Sequence, residues 1–321
     1  MQHFIEQLIV CFNAVAPFFL VMGVGWLVRR VGLVGDPFFA GINKLAFNCL
    51  FPALIFMTIF PADLAAAFDP ALATYFIIGI VIVYLLLWVI GARFIKEKPT
   101  LAVFVQAGYR SNYIILAIAV IPMLLGPEAA PRAALMTTVT VSTYSVLAAI
   151  LFVSVGLDKN VSGFERFKNV GIGIITMPVI IAAVAGLVAN FIALPLPLVL
   201  ERGISSVADM AAPAALIGIG GALSMEKVRR NLRMAISITL VKNILVPIVL
   251  TIPAILLGFR GVDLAIIAMI GLSPVGAVSY VTAAAMGGDM DAAASSLVLS
   301  NAVAIFTVVL GLTILRVFGL F

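Results

Sequence analysis

Charge is scarce in this chain. Of 321 residues only 10% are charged, with 14 acidic and 19 basic side chains. A soluble domain carries about 25% charged residues to wet its surface, so a water-soluble globule is excluded. Cysteine is nearly absent as well. Cys11 and Cys49 both sit in apolar runs, which excludes a disulfide framework and a zinc-ligand spacing. The single histidine, His3, stands at the N-terminus. No polar stretch is longer than 157–169, so no soluble domain is inserted. What the chain has instead is apolar residue: 64% of the total, with a mean hydropathy of +1.26.

Apolar runs fall at 5–28, 38–60, 70–92, 101–125, 131–156, 170–192, 198–223, 234–257, 262–286 and 291–317. A membrane crossing takes about 20 such residues, and the runs are too long and too uniform for barrel strands. The expected fold class is an all-α polytopic membrane protein with ten transmembrane helices. The first run lacks a cationic n-region and has full span length, so it reads as a helix and not as a cleaved signal peptide.

The net charge of +5 reflects loops and not a nucleic-acid partner. Twelve cations (Arg29, Arg30, Arg93, Lys96, Lys98, Lys159, Arg166, Lys168, Lys227, Arg229, Arg230, Arg233) fall on one side of the expected membrane. Four fall on the other: Arg132, Arg202, Arg260 and Arg316. Basic loops stay cytoplasmic, which places both termini outside a cell (inner) membrane.

The chain repeats at an offset of 161 residues. Pro17 aligns with Pro178, Gly25 with Gly186, Pro52-Ala53 with Pro213-Ala214, Gly126 with Gly287 and Glu128 with Asp289. Each half, 1–160 and 161–321, has five runs, and an odd number turns the second half upside down. Two inverted five-helix repeats are a signature of secondary transporters, whose site lies at midplane between the halves.

Polar residues then mark that site. The fourth run holds the island Gly108-Tyr109-Arg110-Ser111-Asn112, and the ninth holds Gly271-Leu272-Ser273-Pro274-Val275-Gly276 at the matching position. Proline removes a helical hydrogen bond and clashes with the preceding turn, so these two helices are expected to break and cross. Either break alone also reads as a kink satisfied by neighbouring helices.

Arg110 and Lys242 each lie about 14 Å into a span and Asp209 about 10 Å from the opposite face. Each costs about 2.5–3.5 kcal/mol on insertion. They read as two cations for an anionic substrate and a proton or cation site at Asp209. The alternative is that Lys242 and Asp209 neutralise each other or snorkel. Lys44, near a span end, reads as snorkelling. Asn48 and Asp209 coincide under the offset, four residues before Pro52 and Pro213; each reads either as a bonding partner for carbonyls the proline frees or as path lining. Gly218-Ile219-Gly220-Gly221 reads as close helix packing. An intramembrane protease needs a histidine within a span or two deep aspartates. His3 is terminal, and Asp289 is assigned to an outer loop, so the enzyme class is unsupported.

On Asn43-Lys44-Leu45-Ala46-Phe47-Asn48-Cys49-Leu50-Phe51-Pro52-Ala53-Leu54-Ile55, Tyr109-Arg110-Ser111-Asn112, Lys242-Asn243-Ile244-Leu245-Val246-Pro247 and Ser273-Pro274-Val275-Gly276, the sequence resembles the auxin efflux carrier family over essentially its whole length. The resemblance implies a fold similar to bile acid:sodium symporters and sodium/proton antiporters, with helices four and nine unwound and crossing. It implies a scaffold of helices one, two, six and seven, often dimeric, and a mobile unit of the other six. The loop between helices five and six is short, which makes the chain more similar to bacterial members assigned to malonate or malate. It departs from many relatives in lacking a glycine and a proline soon after Asn112.

The expectation is a secondary transporter of a small organic anion, with no cofactor beyond a coupling H+ or Na+. A passive pore or a carrier of an auxin-like or bile-acid-like monoanion is the alternative. The expected substrate contacts are Arg110, Ser111, Asn112, Ser273, Pro274, Gly276, Lys242 and Asn48, with Asp209 as the coupling-ion residue.

Overall fold

Apolar runs of this length leave the backbone no partner but itself, and the chain answers with helices. A computed structural model describes residues 2–155, 172, 175–223 and 225–321. Among these the only β-type contact is one isolated bridge. The loop at 157–169, with Lys159, Arg166 and Lys168, and the boundary between the two halves lie outside the described residues.

The first half runs α1 (Gln2–Arg30), α2 (Asp36–Leu45), α3 (Phe51–Ile59), α4 (Leu64–Ala67), α5 (Pro70–Phe94), α6 (Lys98–Tyr109), α7 (Tyr113–Leu125) and α8 (Ala130–Ser154). The second runs α9 (Pro178–Phe191), α10 (Leu198–Asp209), α11 (Ala211–Ala222), α12 (Met225–Arg230), α13 (Leu232–Leu240), α14 (Val246–Leu256), α15 (Gly261–Leu272), α16 (Ala277–Ala285) and α17 (Met290–Val317). Among the described residues, seven stretches are long and apolar enough to cross a membrane. The apolar runs at 101–125, 170–192 and 262–286 do not appear as single long helices. Two of them are broken in the middle, and α9 is 14 residues.

Two spans carry a π-helical turn, at Ala46–Leu50 between α2 and α3 and at Val241–Leu245 between α13 and α14. Each ends two residues before a proline, Pro52 or Pro247. Proline cannot donate to the preceding turn, and one widened turn lets the span continue past it. Such bulges gather at functional positions; these two carry Asn48 and the pair Lys242–Asn243.

α1 lies along α11, and α2 also packs on α11, while α9 and α10 pack on α3. α5, α6, α8 and α13 to α17 form the other mass of contacts, with α1 bridging to α17. The α1–α11 seam is backbone against backbone. A Cβ on Gly220 would overlap the Met22 carbonyl, and one on Gly25 would overlap that of Ile217. Small residues permitting close approach account for the Gly218–Gly221 run.

One sequence assignment needs correction. The Asp289 amide reaches the Pro99 carbonyl at 3.4 Å and its carboxylate accepts from Thr100 Oγ1 at 2.8 Å. Asp289 therefore sits beside the loop of Arg93, Lys96 and Lys98. It lies on the side of those cations, and not in the opposite loop to which the sequence reading assigned it.

Candidate functional site

The residue before a proline is pushed out of the α region, and Ser273 obeys, with φ −62° and ψ 136°. α15 ends there and α16 begins after Gly276. α6 ends at Tyr109 and α7 begins at Tyr113, although no proline or glycine follows Asn112 closely. What holds this second interruption open is the first. The Asn112 amide donates to the Pro274 carbonyl at 2.7 Å, and the Gly276 amide donates to the Arg110 carbonyl at 3.2 Å. Ser111 and Val275 form the antiparallel bridge. The approach is close at Gly276, where a Cβ would stand 3.0 Å from the Ser111 carbonyl oxygen and would push the pairing apart by a few tenths of an ångström.

The two breaks are supported differently. Lys242, fully buried in its π turn, donates through Nζ to the carbonyls of Ile270 (3.2 Å) and Gly271 (2.7 Å). It thereby satisfies the orphan C-terminal carbonyls of α15 and complements that end of the helix dipole. Ser300 Oγ accepts from the Val275 amide at 3.0 Å and donates to Asn243 Oδ1 at 2.6 Å, and Asn301 donates to the Val275 carbonyl at 3.2 Å. On the other side Ser111 Oγ lies 2.9 Å from Tyr144 Oη, and Tyr109 Oη donates to the Tyr144 carbonyl at 3.2 Å. Tyr84 meets Tyr109 edge-on and Tyr109 meets Tyr144 at a tilt, with ring centroids 5.6 Å apart in each pair.

Beside the crossing is a cavity of about 180 Å³ lined by Arg110, Ser111, Asn112, Thr140, Tyr144 and Gly276. Arg110 is 6% exposed, and no described carboxylate lies within 4 Å of it. The first residues of α7 (Tyr113, Ile114) and of α16 (Ala277, Val278) also line this cavity. Neither helix has a side-chain cap at its N-terminus. Uncapped N-termini present unsatisfied N–H groups and a positive partial charge, the arrangement that binds anions.

A larger cavity of about 550 Å³ adjoins it, walled by α2, α11, α16 and α17, with Arg29, Asp36, Asn43 and Lys44 among its polar lining. Phe47, Asn48, Ala277 and Val278 belong to both cavities. On the opposite face of the crossing, between Asn112, Pro274, Asn301 and α1, about 10 Å³ remains, room for one water at most. A separate cavity of about 370 Å³ lies farther along α1, beside Gly23, Trp26 and Asn301, and does not include Arg110 or Ser111 in its lining.

Of the residues expected at the site, Arg110, Ser111, Asn112, Gly276 and Asn48 meet at the small cavity, and Pro274 supplies a backbone partner behind it. Three lie elsewhere. Lys242 lines neither of the two adjoining cavities and spends its ammonium on α15. Ser273 is fully buried, with no partner for its hydroxyl among the described residues. Asp209 ends α10 with an exposed side chain and lines neither cavity. Lys242 and Asp209 do not pair with each other.

Thr140 and Tyr144 of α8 were not expected. Their signal was present in Thr137-Thr138-Val139-Thr140-Val141-Ser142-Thr143-Tyr144-Ser145, a hydroxyl-rich stretch inside a span. Most of those hydroxyls bond back to the carbonyl four residues earlier, the usual fate of serine and threonine in helices. Tyr144 reaches across to Ser111. No group of three or more metal-ligating side chains occurs among the described residues.

No curated protein matches the chain closely enough to serve as a relative. Residues 10–311 match the family described as membrane transport protein. A chain of apolar helices with a paired double break, matched over nearly its whole length, belongs to that family of transporters, the auxin efflux carriers.

Proposed function

We propose that this transporter carries small organic anions across the cell (inner) membrane by alternating access. The observation that carries the proposal is the convergence of three positive features on one cavity: the Arg110 guanidinium, with no carboxylate partner among the described residues, and the uncapped N-termini of α7 and α16. A cavity of about 180 Å³ is smaller than the usual drug-sized site, which favours a compact substrate. A short dicarboxylate such as malonate would place one carboxylate on Arg110 and the other on the free amides of α7 or α16. Ser111, Asn112 and Asn48 would supply hydrogen bonds.

The same reading takes the ten spans as two inverted five-helix repeats. α1, α2, α3, α9, α10 and α11 would form the scaffold, through which two copies would pair. By the charge count the larger cavity opens to the cytoplasm, as befits an inward-facing state. Coupling to H+ or Na+ belongs to the proposal; Asp209, outside both cavities, would act without touching substrate. The apolar wall of the larger cavity, including Phe39, Phe47 and Val281, supports a bulkier monocarboxylate as the second reading.

The test is uptake of radiolabelled malonate into proteoliposomes at fixed membrane potential, with and without imposed proton or sodium gradients. Saturable uptake that Arg110→Gln abolishes is the expected result. Full uptake by a correctly folded Arg110→Gln protein would remove the anion site.

A further inference from the structure

We propose that Lys44 is an anion-collecting station in the larger cavity, one step ahead of Arg110. The inference rests on reading the two cavities as one substrate path, and it assigns a role to a residue that the sequence alone presents as snorkelling. Lys44 lines the cavity of about 550 Å³ with an exposed side chain.

The cations of that wall differ in what occupies them. Arg29 pairs with Asp36 at 2.9 Å and donates to the Gly221 carbonyl at 2.8 Å. Lys44 has no carboxylate within 4 Å among the described residues. Its charge is therefore free to act on a solute, and low-dielectric walls concentrate its field in the cavity.

Asn48 continues the path. It stands one helical turn beyond Lys44, donates to the Lys44 carbonyl at 2.7 Å and lines both cavities. That bond fixes the asparagine side chain at the junction. Lys44, Asn48 and Arg110 thus form an ordered series of cation, amide and cation. A carboxylate-bearing anion entering from water would meet Lys44, pass the Asn48 amide and settle on Arg110. Lys44 acts as a positioning residue for entry and not as part of the final site.

The test needs no knowledge of the natural substrate. Ala40, one turn before Lys44, lines the larger cavity, and a cysteine is placed there or at Asn48 in a Cys49→Ser background. The protein is reconstituted in neutral phosphatidylcholine vesicles, so that lipid charge contributes nothing. The readout is the rate ratio for two thiol reagents, an anionic sulfonatoethyl methanethiosulfonate and its cationic trimethylammonium counterpart. With Lys44 present the anionic reagent is favoured at both positions. Lys44→Gln is expected to lower the ratio about tenfold at both, the scale of one unit charge a helical turn away in a partly solvated cavity, and Lys44→Arg to preserve it. An unchanged ratio at Ala40→Cys would overturn the proposal. So would a fall at Ala40→Cys with none at Asn48→Cys, because Lys44 would then charge the mouth and not the path. Failure of the transport reading shows separately, as Arg110→Gln vesicles that still accumulate anion.

Discussion

Lys242 Nζ lies 2.7 Å from the carbonyl oxygen of Gly271, two residues before the chain unwinds at Ser273. A buried ammonium is thus the terminal cap of a half-helix. Replacing it with methionine keeps the bulk of the stem but leaves the Ile270 and Gly271 carbonyls unsatisfied. The expected loss is about 1.5–3 kcal/mol, the worth of hydrogen bonds to a charged group. A thermal unfolding midpoint lowered by several degrees in detergent, before any transport measurement, checks it. A midpoint equal to that of the parent protein would show the cap to be dispensable.

Arg110 should behave in the opposite way. Its guanidinium faces a cavity and has no described carboxylate within 4 Å, so Arg110→Gln is expected to leave the midpoint nearly unchanged. Substrate binding should fall at least about tenfold, since each 1.4 kcal/mol of lost interaction is a factor of ten. Arg110→Lys should recover part of the affinity, because a point charge replaces a planar fork. Binding and melting curves on the same preparations separate the two outcomes.

Tyr144→Phe removes the hydroxyl 2.9 Å from Ser111 Oγ and little else. Stability should drop by about 1 kcal/mol. The apparent KM should rise severalfold as Ser111 loses its orientation. A variant with unchanged KM would show that Ser111 is held by its backbone pairing alone.

At the α1–α11 seam, Gly220→Val inserts a branched side chain where the Met22 backbone already stands. Overpacking of this kind costs about 1–3 kcal/mol, occasionally more. Lower yield of monodisperse protein after detergent extraction is the expected result, with Gly23→Val as the control, because nothing lies within 4 Å of a Cβ at Gly23.

These residues also show what the sequence made legible. Ser273-Pro274 carries a local cause for its break, because proline removes a helical hydrogen bond and pushes the residue before it out of the α region, although α1, α7 and α14 continue through Pro17, Pro122 and Pro253. The interruption at Arg110–Asn112 has no such local cause. It was readable from the polar island, the offset of 161 residues and the family resemblance, and its physical reason, pairing with residues more than 160 positions away, is tertiary. The depth of Lys242 was legible from counting residues along a span, but its partners, 28 and 29 positions on, were not. Asp209 was expected at a coupling site because its count along the span put a charge about 10 Å from the membrane face. A linear count gives depth and not azimuth, and the side chain points outward from α10. Tyr144 was hidden among neighbouring hydroxyls that mostly bond their own helix.

The two amide bonds joining Asn112 to Pro274 and Gly276 to Arg110 have a mechanical meaning. They stitch the two interrupted helices into a single knot, and the groups that would grip a substrate are threads of that knot. In a transport cycle such a grip would be carried whole from one side to the other, not dismantled and rebuilt. Selectivity would then be set once, by the knot, and the surrounding helices would decide only which way it faces.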